Sequence, residues 1–253
     1  MKRPLILISN DDGFRARGIN ELTEIAKKYG DVVVAAPSGP RSAQSGALTI
    51  ETPVWVKKYY EGEGVTKYSI NGTPADCVKL AIAQLLDDRK PDLVLTGINH
   101  GSNASINVIY SGTVGAALEG CIHGIPSIAF SLCTHDEEAD FSTALPCFDN
   151  LIKQVLADGL PTGVCLNVNA PTGDIKGVRA CRQAAGVWEK DFVKTSAPRP
   201  LDYYWLVGDF KNTDTEDINA DQTAVENGYI TVVPIKPDMT ANSALEFCKR
   251  YEK

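Results

Sequence analysis

A chain of 253 residues with 43% hydrophobic and 23% charged side chains has the composition of a folded domain and is long enough to bury a core without disulfide staples. Its formal net charge of -7 excludes a general nucleic-acid binder, which needs a Lys/Arg surface for the phosphate backbone. The seven cysteines are odd in number, form no CxxC pair and mostly sit inside apolar runs, so they read as reduced structural thiols. The first apolar run, Leu5 to Ile8, is too short for a leader core or a membrane span; the expectation is a cytoplasmic protein with no membrane partner.

In chain order, apolar strand-like runs alternate with helical periodicity through the first two thirds. That pattern predicts an α/β fold: a doubly wound, mostly parallel sheet flanked by helices. A buried strand is expected over 5–9, an amphipathic helix over 19–29 closed by Gly30, and a strand over 32–36. Strands 54–60 and 68–70 form a β-rich excursion with Gly62 and Gly64 at its turn, and Thr73 and Pro74 open a helix over 75–86. Strand 93–96 leads into a polar loop over 97–112, then a helix over 113–123 and a strand over 127–131. Helix 141–157 and strand 164–168 complete the expected core. Beyond Pro171 the alternation weakens to strands over 201–207 and 229–234 and a closing helix over 241–251. The expected organisation is one domain, with an α/β core over 1–171 carrying the site and a β-rich C-terminal appendage over 172–253 used in oligomerisation.

Polar residues gather where expected strands end, the rim at which open α/β sheets bind ligands. The first strand runs into Asn10-Asp11-Asp12-Gly13, two carboxylates able to share a hard cation, although the same composition also makes a turn. After the second strand comes Arg41-Ser42-Ala43-Gln44-Ser45-Gly46, which reads either as a surface loop or as a hydroxyl ligand beside a cation that faces phosphate. The next rim segment, Gly97-Ile98-Asn99-His100-Gly101-Ser102-Asn103, offers neutral amide oxygens suited to Mg²⁺ or Mn²⁺. Tyr110-Ser111-Gly112-Thr113 enters an Ala-rich helix whose first N–H groups form an anion site or, more plainly, a capped helix start. Taken together these describe a metal held by protein oxygens beside a phosphate cradle, as metal-assisted phosphoryl transfer to water requires. No HExxH, P-loop or GxSxG motif is present, and the three histidines carry no zinc spacing.

These blocks, with Asn71-Gly72-Thr73-Pro74-Ala75-Asp76-Cys77-Val78, closely resemble the SurE family of nucleotidases, and looser similarity runs through Pro126–Ser131, Leu166–Pro171 and Asp221–Pro234. The resemblance implies a SurE-like fold and a homodimer or homotetramer built with the appendage. It also implies a divalent-metal phosphomonoesterase acting on nucleoside 5′- and 3′-monophosphates, with exopolyphosphatase activity in some members. By that resemblance Asp11, Asp12, Ser42 and Asn99 hold one divalent cation per subunit, magnesium or manganese, with calcium a substitute in a crystal. Asp11 and Asp12 are also the catalytic carboxylates, while Asn103, Ser111, Gly112 and Thr113 bind phosphate and substrate. Asn107 departs from the family, where an acidic residue is expected.

Thr73, Pro74 and Asp76 read equally as a helix cap with a first-turn acid. The aromatic residues Trp188, Tyr203, Tyr204 and Trp205 read as core or subunit contacts ahead of base-stacking groups. Attack by water and attack by an aspartate carboxylate both remain open. Two rivals stand beside this reading. A haloacid-dehalogenase-like phosphatase needs DxD spacing where this chain has adjacent aspartates, and a non-catalytic nucleotide-binding or stress-response module would keep the fold without turnover.

Overall fold

The computed structural model describes residues 3–136, 138–196 and 201–252. The chain runs β1 (Leu5–Ser9), α1 (Arg17–Ala26), β2 (Asp31–Pro37), β3 (Val56–Gly62), β4 (Val65–Ile70), α2 (Pro74–Leu80), β5 (Leu93–His100), α3 (Asn107–Tyr110), α4 (Gly112–Ile122), β6 (Ser127–Leu132), α5 (Leu145–Asp158) and β7 (Cys165–Ala170). The remainder comprises β8 (Gly177–Ala180), β9 (Gly186–Glu189), β10 (Phe192–Thr195), β11 (Tyr203–Leu206), β12 (Asp209–Asn212), α6 (Asp221–Glu226), β13 (Tyr229–Ile235) and α7 (Leu245–Cys248).

Nine strands form one sheet in the order β3-β4-β2-β1-β5-β6-β7-β13-β8. The central strands β4, β2, β1, β5, β6 and β7 are mutually parallel, which requires crossovers and puts helices on both faces. Period-two alternation in β1 shows the two layers: Ile6 and Ile8 pack with Ile19 and Leu22 of α1 and Phe148 and Ile152 of α5. Leu7 points the other way, to Cys77 and Val78 of α2 and Ala116 of α4. From β1 the chain winds outward to β2 and β4, then returns to β5 on the other side of β1. The crevice at the carboxyl ends of β1 and β5 is therefore the topological switch point.

The doubly wound sheet is the expected one, with differences at element ends and, beyond residue 171, strands β8, β9, β10 and β12 and helix α6 that were not expected. Strand β5 continues to His100, through a register shift against β6 between Thr96 and Asn99, and the polar loop contains the short helix α3. Helix α1 stops at Ala26; residues 27–30 form a tighter turn in which Tyr29 N donates to Ala26 O at 2.9 Å. The helix expected over 75–86 divides into α2 and a wider π turn, Ala81–Leu85. Helix α5 begins at Leu145, with Pro146 in its first turn, because the preceding turn buries Phe141 in the core. The closing helix is broken into α7 flanked by two 3-10 turns, and with every residue from 239 to 252 exposed it has no buried face to sustain it. After residue 171 the chain re-enters the sheet: β13 runs antiparallel to β7 and parallel to β8. The ribbons β9–β12 and β10–β11 stand apart from it.

Candidate active site at the switch point

Leaving β1, the chain turns at Asn10, whose side chain donates to Gly13 O and accepts from Gly13 N, both at 3.1 Å. The turn fixes the two carboxylates over the end of the sheet. Asp11 is 4% exposed and its Oδ1 accepts a 2.6 Å bond from the Thr113 hydroxyl. Burial pushes its pKa up to about 6, with the neighbouring Asp12 charge adding to the rise and the Thr113 bond opposing it. Asp12 is also raised, by burial first, against the His100 N–H at 3.4 Å and the charge of His135. Among the described residues neither carboxylate takes part in an ion pair. Two adjacent carboxylates, one buried and one half-buried, with no ion-pair partner are costly, and a cation between them is the simplest way to offset that cost.

Asn99, 8% exposed at the end of β5, donates from Nδ2 to Gly101 O at 2.8 Å, which leaves its amide oxygen as a donor of lone pairs. The loop after β2 closes over the same end of the sheet. Arg41 N donates to Asp11 O at 2.6 Å, while Ser45 donates from N to Tyr110 O at 3.0 Å and from Oγ to Ile109 O at 2.8 Å. Ser42 lies between these anchors, one residue beyond the amide tied to Asp11, with its side chain exposed. The Arg41 guanidinium donates to Asn71 O at 3.1 Å. No group of three or more His, Cys, Asp or Glu side chains comes together among the described residues, so any cation here takes carboxylate oxygens with neutral oxygens, a hard donor set suited to Mg²⁺ or Mn²⁺.

Helix α4 starts against Asp11. Ser111 caps it by accepting from Val114 N at 3.0 Å, and Thr96 Oγ1 donates to Thr113 O at 2.8 Å, tying the first turn to β5. The Gly112 amide meets no acceptor among the described residues and points from the positive end of the helix, while the Thr113 N–H turns toward the Asp11 carboxylate. Gly112 permits this approach: a Cβ there would lie 2.9 Å from Asp11 Cβ and 3.1 Å from Pro74 Cγ. An anion approaching here would meet backbone N–H ahead of side-chain hydroxyls, since the Ser111 hydroxyl caps the helix and the Thr113 hydroxyl is bound to Asp11. Asn103 is buried in a network the sequence did not reveal. Its N donates to Asn169 Oδ1 at 2.8 Å, its Nδ2 to Ser131 Oγ at 2.8 Å, and its carbonyl accepts from Asn167 Nδ2 at 2.9 Å. The signal lay in Asn167-Val168-Asn169, polar side chains alternating at the end of an otherwise apolar strand.

Asp221 was missed as well. Buried at 1% exposure, it accepts from Ser105 N, Ala184 N and Gln222 N, joining the site loop to the late segments of the chain. Thr73 and Asp76 form a reciprocal cap on α2, and Asp76 also accepts from Thr49 N at 3.1 Å, so their observed contacts are structural. His135 packs its ring against Gly101, and His100 stacks edge-on with Phe141 at 5.3 Å.

A family model described as Survival protein SurE matches residues 6–190. The 5′-nucleotidase SurE of Phocaeicola vulgatus is 48% identical over 251 residues, 99% of this chain and 97% of that protein. That of Flavobacterium psychrophilum is 48% identical over 256 residues, 100% of this chain and 99% of that protein. The fold matches the crystal structure of the SurE protein from Aquifex aeolicus with a TM-score of 0.84 at 36% identity, covering 99% of this chain and 100% of that one. A doubly wound sheet with its polar rim at the switch point and similarity spanning nearly the whole chain lead to one conclusion: the chain belongs to the SurE family.

Proposed function

We propose that this chain is a divalent-metal-dependent phosphomonoesterase that converts nucleoside 5′-monophosphates to nucleoside and phosphate. Nucleoside 3′-monophosphates and the ends of polyphosphate chains present the same terminal group and fall within the proposal. The observation that carries it is the Asp11–Asp12 pair, Asp11 buried and Asp12 half-buried, neither in an ion pair among the described residues, set beside the open Gly112 amide at the start of α4. The names of the relatives, 5′-nucleotidase SurE, support the substrate class.

Asp11, Asp12, Ser42 and Asn99 would hold one magnesium or manganese ion. When bound, it would polarise a phosphate oxygen and offset negative charge at the phosphorus. The Gly112 amide orients a further phosphate oxygen, with Ser111 holding the helix start rigid beneath it and Thr113 tying that start to Asp11. Thr113 fixes the rotamer of Asp11, and Asn103 braces the opposite loop. Either a site carboxylate removes a proton from the attacking water, or a carboxylate oxygen attacks phosphorus itself. Recovery of label on Asp11 or Asp12 after quenching with ³²P-labelled nucleotide selects the second route.

A homodimer or homotetramer in the cytoplasm completes the proposal, supported by the apolar side chains that the β10–β11 ribbon exposes. No helix among the described residues is long and apolar enough to cross a membrane.

The test is phosphate release from a panel of nucleoside monophosphates, in EDTA, Mg²⁺ or Mn²⁺, for wild type and Asp12→Asn. Release that needs metal and disappears in the variant is the expected outcome. No release under any metal would leave a nucleotide-binding module, and release that ignores EDTA would remove the metal from the mechanism.

A further inference from the structure

Strand β9 carries Trp188 to the shoulder of the site. Its indole Nε1 donates to Asn107 Oδ1 at 2.8 Å, and Phe210 on the partner strand β12 meets its ring edge-on at 5.7 Å. The ribbon bearing both rings is pressed onto the site loop: Ser105 Oγ donates to Ala184 O at 3.0 Å, and Gly186 sits against Ser105 Oγ and the Phe210 ring. Ser105 N and Ala184 N share the Asp221 carboxylate, which joins loop and ribbon at their base. Asn107 begins the turn that ends at the phosphate cradle, for Ser111 N donates to Asn107 O at 3.1 Å. The indole is thus anchored one helical turn, about 5 Å of rise, plus an amide side chain from the cradle. That span suits the ribose between a 5′-phosphate and its base.

A Trp whose N–H is satisfied and whose edge is braced has little rotational freedom left to lose, yet Trp188 remains 38% exposed. Resting on the nucleotidase reading above, we propose that Trp188 is a specificity-determining residue: its face is the platform on which the nucleobase of the substrate stacks, Asn107 and Phe210 fixing its angle. Stacking on a π-face is tolerant of base identity, so the platform selects nucleotides over other phosphomonoesters and favours the larger purine face over the pyrimidine.

The test compares kcat/KM for AMP, CMP and ribose 5-phosphate in wild type, Trp188→Ala and Trp188→Phe, with calorimetric Kd for the same three compounds. The Trp188→Ala variant is expected to lower the AMP to ribose 5-phosphate ratio at least about fivefold, mainly through KM, with a smaller drop for CMP. Trp188→Phe, which keeps a ring and loses the N–H, should recover most of that ratio. An unchanged ratio in Trp188→Ala overturns the proposal. Equal losses on all three compounds in both variants also overturn it, because they assign Trp188 only to holding Asn107. Failure of the nucleotidase reading is read separately, as wild type without turnover, and the Kd ratios then decide the platform by themselves.

Discussion

Asp11 illustrates how far one side chain's chemistry is set by its surroundings. Burial opposes its ionisation and pushes its pKa up from an ordinary 3.8 to about 6. An acid with a raised folded-state pKa holds its proton more tightly in the folded chain than in the unfolded one. Stability from this group is therefore fully present below about pH 4 and falls as pH rises through about 6. The loss at neutral pH is about 3 kcal/mol. In EDTA at pH 7.5, Asp11→Asn should therefore be the more stable chain in urea unfolding, by up to about 3 kcal/mol, with the gap closing at pH 4. Millimolar Mg²⁺ or Mn²⁺ should raise the midpoint of the wild type and leave the variant unmoved. A wild type as stable as the variant in EDTA at both pH values would mean that Asp11 is not desolvated as described. The adjacent acids were legible in the sequence as a pair at a strand end. Which of them lies deeper, and that Thr113 holds it, required the packing of α4.

At the scale of elements, the site depends on a close approach between α4 and the loop carrying Ser42. A Cβ on Gly115 would overlap the Ser45 carbonyl, so Gly115→Ala must lift the loop between its anchors at Arg41 and Ser45. Because that loop is mostly exposed, the melting temperature should change little, while displacement of Ser42 by about 1 Å lowers kcat/KM by up to about 100-fold. A metal titration of activity checks this: the variant should need more Mg²⁺ or Mn²⁺ for half-maximal rate, and an unchanged requirement would separate Ser42 from the metal. The elements with the clearest signals were those with a buried face. β1, β2 and β6 are largely apolar runs, and the Thr73-Pro74 start of α2 is a local cap that needs no tertiary partner. The break-up of the closing helix was not legible, since its apolar spacing is that of a packed helix while Leu245, Phe247 and Tyr251 lie exposed.

For the whole molecule, the ribbon β10–β11 exposes Phe192, Trp205 and Leu206, each by more than 60%, a patch of the kind that marks an interaction surface. Light scattering should find a dimer or tetramer, and the double substitution Trp205→Glu, Leu206→Lys should shift it toward monomer at micromolar concentration. A wild type that runs as a monomer would remove the ribbon from self-association. By itself the sequence determined the layered sheet, the strand ends and the polar blocks on them, because burial periodicity and turn chemistry are local properties of the chain. Only the tertiary structure decided what those blocks do to one another. β13 extends the sheet from beyond residue 171, Asp221 reaches back 116 residues to Ser105, and Trp188 reaches Asn107 across 81. Such contacts are fixed by how helices and ribbons dock on the sheet, a geometry that no local periodicity encodes.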